Sequence, residues 1–368
     1  MEKFEINTIP SLTWNWMKMN KDSVEVTTAF TEISPSFNTL PEGITLSEGK
    51  FSEEGFGTGI FNIRNPKQLD SRYEYTDSEK EQYEKKSEHS LLKLVSEISK
   101  TQIFTISGKT EPLVLNFTGE VENQISDTLI HAKANCDSTV IFIFNANAQT
   151  QLIRTRILAE ENAKIHIVKV QINSNSTLQL DDTAFICNEN VQAKFTQIEL
   201  GGKHTDSGLN VNLNGYKADF KSNIAYLCKE EQYLDMNHIV NHFGKKTECN
   251  MQVKGTLKDN STKIYRGTID FKNGCCGSKG NELEETLLLN PKVINKSLPV
   301  ILCDEEDVEG EHGASIGRLS NEILFYMQSR GIDKKSAEEI MSIAKIQATA
   351  DLIPDEKTKE LILEYLEK

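Results

Sequence analysis

A chain of 368 residues with 41 Lys and Arg against 55 Asp and Glu carries a net charge of −14 when its histidines are neutral. That acidity argues against nucleic acid or an anionic membrane as a partner. The length supports one large body with smaller flanking pieces.

The opening stretch, MEKFEINTIPSLTWNWMKMN, has no apolar run of signal-peptide length, and no later segment approaches the roughly 20 apolar residues of a membrane span. A cytoplasmic protein is therefore expected, without membrane contact. Seven cysteines without CxxC spacing, at positions 136, 187, 228, 249, 275, 276 and 303, are expected to be free and mostly buried thiols.

Residues 1 to 100 read as a helical and irregular N-terminal region. Turn chemistry such as Leu40-Pro41-Glu42-Gly43 interrupts short apolar clusters, and the two tryptophans, Trp14 and Trp16, read as anchors onto the main body. From Ser78 to Ser99 the pattern becomes that of a helix, with Leu91, Leu94, Val95 and Ile98 on one face.

Between Gln102 and Lys296 the hydrophobic period is two. Strands are predicted at Thr139–Ala146, Gln151–Ala159, Lys164–Ile172, Ala193–Leu200, Gly208–Asn214, Cys249–Leu257 and Thr262–Phe271. Positions such as Thr139, Lys164, Ala193 and Asp219 recur every 25 to 29 residues by their numbering, a spacing that suits the coils of a β-solenoid. A sandwich would also give many short strands. Only Asn214-Gly215 and Asn273-Gly274 offer Asn-Gly hairpin turns, which favours the solenoid.

After Arg318 the period becomes helical. Ser320 is placed to cap a helix with Ile323, Leu324 and Met327 inward, and Gly331 to end it. Asp333 would cap a second helix carrying Ala337, Ile340, Met341, Ala344 and Ala348 on one side, and Pro354 would open a third with Leu361, Ile362, Tyr365 and Leu366 inward.

Four groups of residues carry candidate chemistry. His238 and His242 form an HxxxH pair that would chelate a metal on a helix, but their surroundings read as extended or looped. Cys275-Cys276 sits in NGCCGSKG, either as a structural turn or as thiols that Lys279 activates. Gly274 to Gly280 has the look of a phosphate loop without GK[ST] and with acidic neighbours, so nucleotide binding is discounted. His312 follows six carboxylates between Asp304 and Glu311. It reads either as a loop histidine or as a base or metal ligand sharing its site with them.

The run EEDVEGEHGASIGRLSNEILFYMQSRGI resembles the C-terminal signature of the SufB/SufD family of iron-sulfur cluster assembly scaffolds. The likeness extends through VKGTLKDNSTKIYRGTIDF and covers roughly residues 100 to 350. It implies a mainly β protein: a right-handed parallel β-helix (β-solenoid) at 101–318 between the N-terminal region and a helical cap at 319–368. It further implies a scaffold without enzymatic activity, paired with a SufB-type paralogue or a second copy of itself. The C-terminal helices would bind a SufC-type ABC ATPase, with Leu324, Phe325, Tyr326, Ser329 and Arg330 at the contact.

By position, His312 matches the interface histidine of SufD-type members, and Glu311 precedes it as in the SufB-type variant. Many SufD-type members have cysteine where this chain has Gly310, and Glu284 stands where SufB-type members have an essential cysteine. The chain therefore resembles the SufD-like partner. Glu311, His312, Cys275 and Cys276 are the candidate ligands for a transient cluster or iron, and the family admits FAD in the complex. The rival class is a carbohydrate-active β-helix, lyase or hydrolase. Such enzymes use aromatic sugar platforms, whereas aromatics make up only 7% of this chain.

Overall fold

The computed structural model describes residues 1–10, 17–61 and 90–367. Trp14, Trp16 and the part of the predicted helix before Ser90 lie outside them.

Four strands precede the main body: β1 (Glu2–Ile6), β2 (Asp22–Val26), β3 (Thr31–Glu32) and β4 (Ile44–Gly49). Helix α1 (Leu91–Ile98) follows, capped by the Ser90 hydroxyl, which accepts from the Lys93 N–H. Then come β5 (Thr101–Ile106), β6 (Leu113–Gly119), β7 (Asn123–Ala132), β8 (Asp137–Ala146), β9 (Thr150–Ala159), β10 (Lys164–Gln171), β11 (Leu178–Cys187) and β12 (Gln192–Glu199). The series continues through β13 (His204–Leu213), β14 (Asp219–Cys228), β15 (Tyr233–His242), β16 (Glu248–Leu257), β17 (Thr262–Phe271), β18 (Ser278–Leu288), β19 (Ile294–Cys303) and β20 (Val308–Gly317). Three helices close the described chain: α2 (Asn321–Ser329), α3 (Lys334–Ala350) and α4 (Glu356–Leu366).

From β5 onward, odd and even strands separate into two sheets. Even strands β6 to β20 form one ladder of eight, and odd strands β5 to β19 form another that β4 extends at its start and β3 joins beside β7, ten strands in all. Within β5 to β20 each strand pairs in parallel with the strand two further on, which is the connectivity of a parallel β-solenoid of about eight coils. Coils advance by 27 residues near the start, from Asp137 to Lys164, by 29 further on, from Asp219 to Glu248, and by 32 at the end, from Thr262 to Ile294. The predicted landmarks were slightly out of phase: Lys164 stacks on Asp137 and Gln192, while Thr139 stacks on His166.

Tight turns join the sheets. Asn135, Asn162 and Asn190 adopt φ of 62°, 58° and 55°, a region that asparagine tolerates better than most residues. Their side chains also stack: Asn162 Nδ2 donates to Asn135 Oδ1 at 3.3 Å, and Asn190 Nδ2 to Asn162 Oδ1 at 3.2 Å.

The core between the sheets includes Phe142, Phe144, Ile167, Phe185, Phe195, Val211, Met251 and Phe271. Outside the eight-stranded sheet, Ile141, Val168, Val170 and Ile198 pack against Ile346, Ala350, Ile353 and Ile362 of the C-terminal segment. Strand β8 is therefore apolar on both faces because both are covered. The helices flank the solenoid and leave its last coil uncovered.

The predicted capping holds for Ser320, Asp333 and Gly331, the last at φ +83°. Two predicted faces do not hold. Helix α2 buries no residue, so Ile323, Leu324 and Met327 are not core positions. In α3 the buried face is Ala337, Ser342, Ile346, Thr349 and Ala350, which leaves Ile340, Ala344 and Ala348 exposed. Pro354 lies just before Asp355, the residue that caps α4.

The N-terminal segment closes the first coil and covers the outer face of the ten-stranded sheet. Strand β4 pairs antiparallel with β5, and Ser36 bridges Asn116. Polar side chains of the sheet, two of them arginines, hold this segment by its backbone. Arg154 donates to the Gly57 carbonyl at 3.1 Å, Arg266 to that of Met19 at 2.6 Å, and Asn237 to that of Gly59 at 2.7 Å.

Candidate functional site

The opposite end of the solenoid is open. Strands β19 and β20 end their ladders, each ten residues long and without a partner on the outer edge among the described residues. Such edges expose backbone donors and acceptors and invite pairing. Pro299 interrupts β19 in the manner of edge strands. Ile294 on β19 and Ile316 on β20 are large apolar residues left exposed.

His312 lies in β20, not in a loop, and its strand geometry separates it from Glu311. Successive residues of a strand point to opposite faces. A Cβ at Gly310 would meet Phe271 at 3.0 Å and Ile301 at 3.3 Å, so even-numbered positions of β20 face the interior. A Cβ at Gly313 would meet Leu283 on the outer face. His312 thus faces inward, stacked on Glu282, and Glu311 faces outward, stacked on Asn281.

Beneath His312 the interior is polar. Glu284 accepts from Lys263, from the Thr286 hydroxyl at 3.0 Å and from the Ser297 hydroxyl at 2.9 Å. Burial pushes the Lys263 pKa down, and the Glu284 carboxylate partly offsets it. Glu282 is 2% exposed, its Oε2 makes no well-formed hydrogen bond, and burial pushes its pKa up to about 7, with the Tyr265 hydroxyl opposing. Sequence reasoning passed over Glu282 as one more acidic neighbour. The available signal was the alternation Glu282-x-Glu284 in a strand-like run, which puts two carboxylates on the core face.

The neighbouring cysteines are separated by their turn. Cys275 is buried in the core, which pushes its thiol up to about 11, with a hydrogen bond to Ser278 opposing. Cys276 is exposed and donates to Asp307 Oδ2 at 2.7 Å, a bond that raises its pKa. Lys279 does not activate either thiol: it pairs with Glu309 at 2.9 Å. A third thiol, the exposed Cys303, donates to the Glu305 carbonyl at 3.0 Å. Among the described residues no three His, Cys, Asp or Glu side chains converge to hold a metal ion.

The HxxxH pair lies on β15, where residues four apart are about 13 Å from each other. The helical premise for chelation therefore fails. His242 packs on Phe271 at 4.7 Å and contacts Thr247 Oγ1 at 2.7 Å. His238 lies edge-on to Tyr265 at 5.6 Å. Burial pushes both imidazoles down to about 3.

The glycine turn at 274–280 does not fit the pyrophosphate of a flavin or nucleotide. The Gly274 N–H already donates to Glu305 Oε2 at 3.0 Å, the Gly277 N–H donates to the Asp307 carbonyl at 2.6 Å, and the surrounding carboxylates repel an anion.

On α2, the residues expected at a partner contact are presented to solvent. Phe325 is 74% and Tyr326 60% exposed, and Leu324 is half-buried. Arg330 lies over the Tyr326 ring at 5.3 Å, and Ser329 Oγ donates to the Tyr326 carbonyl at 2.7 Å. No helix among the described residues is long and apolar enough to cross a membrane.

Residues 115–345 match the family model described as SUF system FeS cluster assembly, SufBD core domain. The chain is 30% identical over 127 residues to the iron-sulfur cluster assembly protein SufD of Bacillus subtilis, a match covering 34% of this chain and 29% of that one. It is 23% identical over 259 residues to the SufD of Plasmodium berghei, covering 68% and 19%. To the SufB of Bacillus subtilis it is 24% identical over 255 residues, covering 61% and 53%. The matches thus span about a fifth to a half of the length of these relatives. The family domain takes in more than half of the chain and most of the parallel solenoid: the chain belongs to the SufB/SufD family of iron-sulfur cluster assembly proteins, as a SufD-like member.

Proposed function

We propose that this chain is a non-enzymatic scaffold of an iron-sulfur cluster assembly complex. Its open solenoid edge pairs with a SufB-type paralogue, and α2 with the start of α3 docks a SufC-type ABC ATPase. The observation that carries the pairing is the asymmetry of the solenoid. The first coil is closed by β4 and the Ser36 bridge, whereas β19 and β20 end in free edges bearing exposed Ile294 and Ile316. Two long edges without a partner among the described residues are an association surface by their own chemistry.

The nascent cluster, or its iron, is cargo handed across that interface. His312 stands at the mouth and is the residue through which this chain would touch it; imidazole suits iron. Glu311 faces away from His312 and would act on the outer side of the junction. Exposed Cys276 is the accessible member of its cysteine pair, whereas Cys275 would need the turn to open before its sulfur could serve.

The ATPase contact follows from α2, whose Phe325 and Tyr326 are largely exposed among the described residues. Exposed aromatics beside an arginine are what interface anchors look like. The test is co-expression with SufB- and SufC-type partners followed by anaerobic purification. Cluster yield should fall with His312→Ala while the complex stays intact, and a wild-type yield from that variant would remove the assembly role of His312.

A further inference from the structure

We propose that Glu282, not Glu311, is the carboxylate that works with His312, and that the two form a two-donor site for a divalent transition-metal ion at the mouth of the solenoid. This rests on reading the His312 end as the assembly site.

The placement follows from the ladder. Glu282 of β18 and His312 of β20 are register partners on parallel strands, and both project from the inward face. Neighbouring strands lie about 4.8 Å apart, a separation that two side chains can bridge through one ion with bonds of about 2.0–2.2 Å. Glu311 cannot join them, because its side chain leaves the opposite face of the same strand.

Glu282 also has the chemistry of an unfinished ligand. Its Oε2 is buried without a well-formed hydrogen bond, the Tyr265 hydroxyl being its polar neighbour, and a buried oxygen so weakly satisfied is costly unless something else occupies it. The nearby Glu284 carboxylate is already committed to Lys263, Thr286 and Ser297. Glu282 has room because the residue opposite is a glycine. A Cβ at Gly267 would lie 2.2 Å from Glu282 Oε1, so the carboxyl rests against bare backbone, with no side chain at that position to hold it.

One imidazole and one carboxylate suit borderline divalent ions such as Fe²⁺, Co²⁺ or Zn²⁺. Two donors from this chain leave positions for water or for a partner seated on the open edge, consistent with the lack of a third convergent ligand among the described residues.

The test is anaerobic titration of the purified full chain with Co²⁺, followed by its visible absorption and by paramagnetic broadening of the His312 ring signals in NMR. Wild type should bind. Glu282→Gln and His312→Ala should each weaken binding by at least about 10-fold, with the His312 signals staying sharp in Glu282→Gln, while Glu311→Gln binds as wild type. Chemical denaturation and far-UV CD check that Glu282→Gln is folded. The proposal is overturned if wild type binds no Co²⁺ at millimolar concentration, if folded Glu282→Gln binds as wild type, or if Glu311→Gln loses as much as Glu282→Gln. Binding that needs Glu282 and His312, combined with unchanged cluster yield in His312→Ala, would keep the site and remove only the assembly role.

Discussion

The Tyr226 hydroxyl bonds to Thr286 Oγ1 at 2.8 Å although a whole rung of the sheet separates the two residues. The rung between them carries Gly255, and a Cβ there would lie 2.5 Å from the Tyr226 ring. The ring lies across bare backbone, and its hydroxyl joins Thr286, Glu284, Lys263 and Ser297 into one buried network reaching the last coil. Gly255→Ala forces the ring aside and should cost about 1–3 kcal/mol, and Tyr226→Phe about 1 kcal/mol for the lost bond. Urea denaturation measures both, and a double variant costing less than the sum of the singles would show that they act on the same contact.

Lys263 and Glu284 form an ion pair with almost no solvent access. Removing one partner leaves a buried charge, so Lys263→Met should destabilise by about 3–5 kcal/mol, whereas replacing both with apolar residues should recover most of that loss. A double-mutant cycle on denaturation midpoints measures it. Additive losses would mean that the pair is not coupled.

Three histidines make the fold acid-labile. Burial pushes His166 to about 4 and His238 and His242 to about 3, whereas an unfolded imidazole titrates near 6.5. Below about pH 6.5 the unfolded chain takes up protons that the folded chain refuses. The stability they contribute is thus complete above that pH and lost as pH falls toward 3, at up to about 1.4 kcal/mol per pH unit per histidine. His238 is the cleanest probe, since neither ring nitrogen has a hydrogen-bond partner. His238→Leu should flatten the slope between pH 6.5 and 4.5 and gain about 1 kcal/mol at pH 7. Urea midpoints across that range check both expectations.

Phe325 and Tyr326 offer a separation of binding from stability. Their exposure predicts that the double alanine variant melts within about 0.5 kcal/mol of wild type while weakening capture of the ATPase by at least about 10-fold, or 1.4 kcal/mol. Thermal melts and pull-downs together check it. A large loss of stability would assign the two rings to packing.

The solenoid was legible because its strands obey a period of two and its turns carry asparagine. Thr262–Phe271 was placed to the residue. Strand β15 was obscured because both of its faces are buried, so polar Asn237 and His238 sit among apolar neighbours without alternation. At β20 the acidic and glycine-rich composition looked like a loop, which joined Glu311 and His312 into one site that strand geometry divides. Helix α2 was assigned an inward face because an amphipathic pattern does not say whether its partner lies in the same chain.

The most direct test of the account is native mass spectrometry of this chain co-expressed with SufB- and SufC-type partners. The wild-type chain should carry both. Ile294→Glu with Ile316→Glu, placing charge on the open edge, should lose the SufB-type partner and keep the ATPase, and Phe325→Ala with Tyr326→Ala should do the reverse. A wild-type chain that joins neither partner, or an edge variant that still pairs, would contradict it.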